Sequence, residues 1–144
     1  DSYFDANMDL LSPLPVFDLY NAHWPVFTNH PPLPPAKVSR GENGEPSFVE
    51  GSLLCAGSIV SGGHVERSIV SPAVRVHHDS HIIDSILFPG VRIGAGATVK
   101  RCIIDKNVQV PPGVHIGVDH ASDAERFTIS DNGIVVIEKD FDAW

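Results

Sequence analysis

The sequence predicts an all-β fold, a parallel β-helix whose coils have three short walls, and three observations carry that prediction. Four consecutive blocks of 17 residues align without gaps from Ile59, Val76, Ile93 and Val110; the third decays toward its end and the fourth holds only in its first half. Large aliphatic residues recur inside the blocks at intervals of 6, 5 and 6 (Ile59, Val65, Val70; Val76, Ile82, Leu87; Ile93, Val99, Ile104; then Val110 and Ile116). Small residues stand two places before many of them, Gly63, Ser80 and Ala97 on one side and Ser68, Ser85 and Cys102 on another. An inward corner has room for nothing larger, so Cys102 reads as a corner filler rather than a nucleophile. One coil cannot bury its aliphatic face alone. Stacked coils share an axis, satisfy one another's backbone hydrogen bonds and need caps at both ends.

Composition agrees with a single domain that has its own core. The 144 residues include 42% hydrophobic ones, with 10 basic against 18 acidic groups for a formal charge of −8. That apolar content argues against wholesale disorder, and the net acidity argues against a nucleic-acid partner. No apolar run is long enough to span a membrane, and no charged-then-apolar signal opens the chain. Two cysteines, Cys55 and Cys102, make no disulfide framework, so a reduced, cytoplasmic protein is expected. Charge is uneven along the chain. Residues 1–52 hold 2 basic and 7 acidic groups, residues 53–118 hold 6 and 4, and residues 119–144 hold 2 and 7. An anionic ligand should therefore prefer the middle or its seams.

Residues 1–40 read as a helix and a Pro-rich linker leading from a preceding domain, and residues 41–144 as the β-helix with a hairpin cap. Ser2 with Asp5 resembles a capping box, Phe4, Met8 and Leu11 share a helical face, and Pro13 and Pro15 end the helix. A helix at the first residue is expected to have lost its packing partner, as in a piece of something longer. The aromatic-rich stretch from Phe17 to Phe27 is expected to dock on the body, and Pro31-Pro32-Leu33-Pro34-Pro35 to act as a stiff tether. An imperfect coil is expected from about Phe48 to Ser58. Near the C-terminus, Arg126-Phe127-Thr128-Ile129 and Ile134-Val135-Val136-Ile137 flank Asp131-Asn132-Gly133, a hairpin signal placed to close the open end.

Residues one repeat apart stack about 4.8 Å from each other, which creates three outward columns. His64, His81, Thr98 and His115 form the first, and adjacent histidines can share a metal or an anion. Arg67, Asp84 and Arg101 form the second, with alternating sign. Arg75, Arg92 and Gln109 form the third, where two guanidinium groups repel unless an anion or a nearby acid compensates. No phosphate-binding glycine loop or nucleophile elbow is visible.

Periodicity leaves the hand of the coil open. Ile-Gly-Ala-Gly-Ala-Thr from Ile93 resembles the hexapeptide repeats of left-handed β-helices. Asp1 to Leu10, Leu33-Pro34-Pro35-Ala36-Lys37, Ile59-Val60-Ser61-Gly62-Gly63, Ser68-Ile69-Val70-Ser71-Pro72, Gly90-Val91-Arg92-Ile93-Gly94, Ile103-Ile104-Asp105-Lys106-Asn107 and Ile116-Gly117-Val118-Asp119 together resemble the C-terminal part of the bacterial glucose-1-phosphate adenylyltransferases. That resemblance implies a parent reaction of ATP with glucose 1-phosphate, giving ADP-glucose and pyrophosphate for glycogen synthesis. Mg²⁺ and ATP would be held by an N-terminal catalytic domain, leaving no cofactor, metal or catalytic residue in this piece. It further implies a regulatory and assembly role within a homotetramer, with Lys106 and Lys139 binding an anionic effector (a sugar phosphate, phosphate or sulfate). Lys106 breaks the Pro72/Pro89 column, and Lys139 is one of two basic groups in an acidic tail. The alternative is a stand-alone hexapeptide enzyme. It would be an acyltransferase using one histidine as base, or a zinc enzyme resembling the γ-class carbonic anhydrases through His81, His115 and His120.

Overall fold

A computed structural model describes every residue of the chain except Thr28 and His30. It is a three-walled prism of parallel strands. The first wall stacks Lys37–Ser39, Ile59–Ser61, Arg75–Val76, Arg92–Ile93 and Gln109–Val110. The second stacks Phe48–Glu50, His64–Glu66, His81–Ile83, Thr98–Lys100 and His115–Ile116. The third stacks Leu53–Leu54, Ile69–Val70, Ile86–Leu87, Cys102–Ile104 and Val135–Ile137, with Thr128–Ile129 added antiparallel at its edge.

The aliphatic rows line the axis as expected. Val65, Ile82, Val99 and Ile116 are fully buried from the second wall, and Val70, Leu87, Ile104 and Ile137 from the third. Each such side chain stabilises the fold by about 1.5–3 kcal/mol relative to exposure. On the first wall the inward residue of the earliest block is Val60, not Ile59. Val60 pairs with Val76, and Ile59 pairs with Arg75 and turns outward. The first coil is one residue shorter than the others, having Ser61 where the next coil has His77-His78, and a one-residue slip reverses the face of a strand. The 17-residue spacing holds only from His64 onward, where His64 pairs with His81.

Each coil turns three corners through left-handed backbone. Gly62, Asp79, Gly96 and Gly113 make one column of positive φ, Gly51, Arg67, Asp84 and Arg101 a second, and Gly57, Ala73, Gly90 and Asn107 a third. The small residues next to these corners are buried: Ser68, Ser80, Ser85, Ala97 and Cys102 are all inaccessible to solvent. A side chain at Gly63 would place its Cβ 2.8 Å from Val76 Cγ1.

Helix α1 (Ser2–Asp9) has a partner, contrary to expectation. Phe4 is buried against Ile69, Ile86 and Ile134 on the outside of the third wall, with Met8, Leu11, Phe88 and Ile103 around it. The capping box is absent. Asp1 is the N-cap residue and makes no capping bond; its Oδ1 instead accepts from Ser130 Oγ at 2.6 Å. The Pro-rich stretch lies on the prism, since Gly57 N donates to Pro34 O at 2.6 Å. The strand Lys37–Ser39, within the segment read as linker, pairs with Ile59–Ser61.

The aromatic stretch does not dock: Tyr20, Trp24 and Phe27 are 79%, 77% and 90% exposed. Local turns satisfy part of its backbone, with Tyr20 N bound to Asp18 Oδ1 and His23 N to Asn21 Oδ1.

The hairpin forms, pairing Thr128 with Val136 and Ile129 with Val135. Its second strand supplies the last rung of the third wall, pairing Ile104 with Ile137. Phe127, Phe141 and Trp144 cluster at this end with ring centroids 5.0–6.1 Å apart and pack on the core. No helix among the described residues is long and apolar enough to cross a membrane.

Candidate functional site

Because the walls are in register, the residues of the columns predicted from the repeat lie at stacked positions on successive rungs of the prism. On the second wall, His64 stacks on Phe48 (centroids 4.5 Å apart) and on His81 (5.4 Å). Thr98 separates His81 from His115 in the register. His64 Nε2 is 3.4 Å from Glu66 Oε2. His120 lies elsewhere, opening helix α2 (His120–Ala124) and covering Gly133. Among the described residues the only trio of ligating side chains within 4.8 Å of one another is Glu45, His78 and Asp79. His81, His115 and His120 therefore do not converge within one chain.

The second column is half realised. Arg67 binds Asp84 through two bonds, Nε to Oδ1 at 2.7 Å and Nη2 to Oδ2 at 3.1 Å, and also pairs with Glu66. Arg101 turns away from Asp84. It donates to Asn132 O at 3.1 Å and lies 5.8 Å from the centre of the Phe4 ring, so it ties the hairpin and helix α1 to the prism. The third column aligns Arg75, Arg92 and Gln109 in register.

The hairpin pairs the strands that precede Lys106 and Lys139. Ile104 pairs with Ile137, and Asp105 N donates to Ile137 O at 3.0 Å. The paired strands end at Ile104 and Ile137, and each lysine follows its strand by two residues, in the turn that comes next. Both lysines are exposed. Lys139 Nζ is 3.9 Å from Asp140 Oδ2, a weak surface contact.

Cys102 is no nucleophile. It is fully buried, Sγ donates to Lys100 O at 3.0 Å, and burial pushes its thiol pKa far up. Sequence reading missed Asp123, which is buried beside the end of the second wall. Its Oδ2 accepts from Gly117 N at 2.8 Å and its Oδ1 from Arg126 Nη2 at 3.3 Å, pinning helix α2 across the end of the prism. Its only signal was an acid in a segment where the repeat had already failed.

Comparison with known proteins agrees with this architecture. The chain is 46% identical over 140 residues to the glucose-1-phosphate adenylyltransferase of Arthrobacter sp. (strain FB24), covering 96% of the chain and 30% of that protein. It is 45% identical over 138 residues to that of Geobacter metallireducens, covering 95% and 34%. It is 41% identical over 141 residues to glucose-1-phosphate adenylyltransferase 2 of Vibrio cholerae, covering 98% and 35%. The chain thus spans about a third of the length of the curated relatives it matches. A family described as GlmU-like, C-terminal hexapeptide matches residues 34–137. With most of its length matched and its three walls wound as a left-handed β-helix, the chain belongs to that hexapeptide family.

Proposed function

We propose that this chain is the C-terminal regulatory and assembly domain of a glucose-1-phosphate adenylyltransferase. The observation that carries the reading is coverage: nearly the whole chain aligns, at 41–46% identity, with about a third of enzymes of that name. On this reading the adenylyl transfer from ATP to glucose 1-phosphate, with its Mg²⁺, belongs to a separate N-terminal domain. The parent assembles as a homotetramer, and this prism responds to an anionic effector.

Lys106 and Lys139 are the residues proposed to meet that effector. Two exposed lysines that follow paired strands at the end of a rigid wall offer point charges suited to a phosphate or sulfate. Asp105, Glu138 and Asp140 surround them, so the lysines alone make a weak site. Arginines from the catalytic domain would complete it. The prism itself is stiff in this direction, because every rung is hydrogen-bonded to the next. An effector held at the seam therefore acts on the position of the neighbouring domain rather than on the coil.

The test is the full-length enzyme with Lys106→Ala and Lys139→Ala. The ratio of the rate with effector to the rate without it is expected to fall toward one. An equal fractional loss of both rates would overturn the regulatory assignment. The isolated chain is expected to form no ADP-glucose, and measurable formation by the purified chain would overturn the division of labour.

A further inference from the structure

We propose that Arg75 and Arg92 form a binding site for a single dianionic oxyanion of the phosphate type, separate from the Lys106/Lys139 seam. The two guanidinium groups extend from neighbouring rungs of the first wall, in register with each other and with Gln109. Together with Ala73, Gly90 and Asn107 these residues line an open cleft of about 360 Å³. The floor of the cleft is low because its corner column carries Ala73 and Gly90. A Cβ on Gly90 would fall 2.3 Å from Asn107 Oδ1, so only glycine leaves that amide its place.

The charge arrangement is what asks for a ligand. Like charges directly opposite each other on adjacent strands destabilise a sheet. The corner column of the same prism resolves this by setting Asp84 against Arg67. The first wall does not. Among the described residues no carboxylate lies within ion-pair distance of Arg75 or Arg92. Arg75 is half-buried, and its Nη1 donates to the neutral Gly57 O at 2.6 Å. That bond holds the group in place without neutralising it. A guanidinium held at Gly57 O, a second one on the next rung, and the Asn107 and Gln109 amides line one cleft, a donor set suited to the planar, bidentate recognition of a phosphoryl group.

The experiment is a titration of the ¹⁵N-labelled 144-residue chain with inorganic phosphate at slightly alkaline pH, against sodium chloride at matched ionic strength. Saturable shifts are expected at the Arg75 and Arg92 Nε–H and the Gln109 side-chain amide. Arg92→Gln, a change at an exposed position that spares the core, should weaken them about tenfold, whereas Lys106→Ala with Lys139→Ala should leave them unchanged. A parallel titration with methyl phosphate separates the sources. Tighter binding of the ester assigns the site to a phosphorylated small molecule, and tighter or equal binding of the inorganic ion assigns it to free phosphate. No saturable response to either, a response that survives Arg92→Gln, or one that disappears with the two lysines would each overturn the proposal.

Discussion

Replacing Ser85 with alanine tests whether the corners hold the prism together through a side-chain ladder. Ser85 is fully buried at a corner of the third wall. Its Oγ accepts from the Cys102 N–H at 3.1 Å and donates to Ile83 O at 2.7 Å, while its own N–H donates to Ser68 Oγ at 3.0 Å. Ser68 in turn takes Ser52 Oγ as acceptor, also at 3.0 Å. These corner backbone donors therefore depend on the hydroxyl one rung below. Removing the Ser85 hydroxyl leaves Ile83 O with its Arg101 N–H partner at 3.1 Å but strips the Cys102 N–H of its acceptor. An orphaned buried donor costs about 1–3 kcal/mol. For a chain of 144 residues that is a fall of roughly 3–10 °C in Tm.

Cys102→Ala is the control. The Cys102 sulfur donates to Lys100 O, and no N–H of the next rung leans on it, so the loss is expected to stay below about 1 kcal/mol. Urea unfolding of both variants and the wild type, followed by circular dichroism, reads the difference. A Ser85→Ala midpoint equal to that of Cys102→Ala would refute the ladder, and the corners would then be held by shape alone.

Three further outcomes follow from the same geometry. Phe4→Ala should release helix α1 from the third wall, at a cost of about 3 kcal/mol. Amide exchange at residues 4–8 should then quicken by about two orders of magnitude, and unchanged exchange would refute the packing. The hydrogen bond from His78 to Asp79, with the charges of Glu45 and Glu42, raises the pKa of the imidazole above its ordinary value. A raised folded pKa adds stability that is complete below the unfolded value and fades as pH rises through the folded one. The advantage of wild type over His78→Gln should therefore shrink between mildly acidic and mildly alkaline pH, and a constant advantage would refute the pairing. Thiol labelling followed by mass spectrometry should modify half-buried Cys55 before Cys102, whose thiol is raised by deep burial; labelling of Cys102 first would contradict its place in the core.

The core was legible in the sequence because a three-sided coil writes its geometry as a period. Val65, Val70, Ile82, Leu87, Val99 and Ile104 point inward where the interval pattern sets them. The outward columns follow from the same period, so Arg67 beside Asp84 and Arg75 beside Arg92 were readable without coordinates. The pattern misleads where coils differ in length, as at Ile59, whose neighbour Val60 takes the inward place after a one-residue deletion. Features outside the repeat were less legible. The Phe17–Phe27 stretch has core-like composition yet lies exposed. Phe141 and Trp144 cap the prism from a tail with no periodic signal.

The proposed Lys106/Lys139 seam shows why the remaining information lay beyond periodicity. In sequence the two lysines are separated by a failed coil, helix α2 and a turn. What sets the strands before them side by side is the choice of the hairpin strand Val135–Ile137 to finish the third wall in place of a fifth regular coil. That choice depends on Asp123 closing over Gly117 and on the fit of Ile137 above Ile104, contacts that only the folded chain displays. The Arg75/Arg92 cleft is built by the repeat itself, at a spacing every rung enforces. Losing the hairpin would therefore separate the lysines and leave the arginines as they stand. A variant lacking the hairpin pairing should thus lose any binding that needs the seam while keeping the response of the first wall.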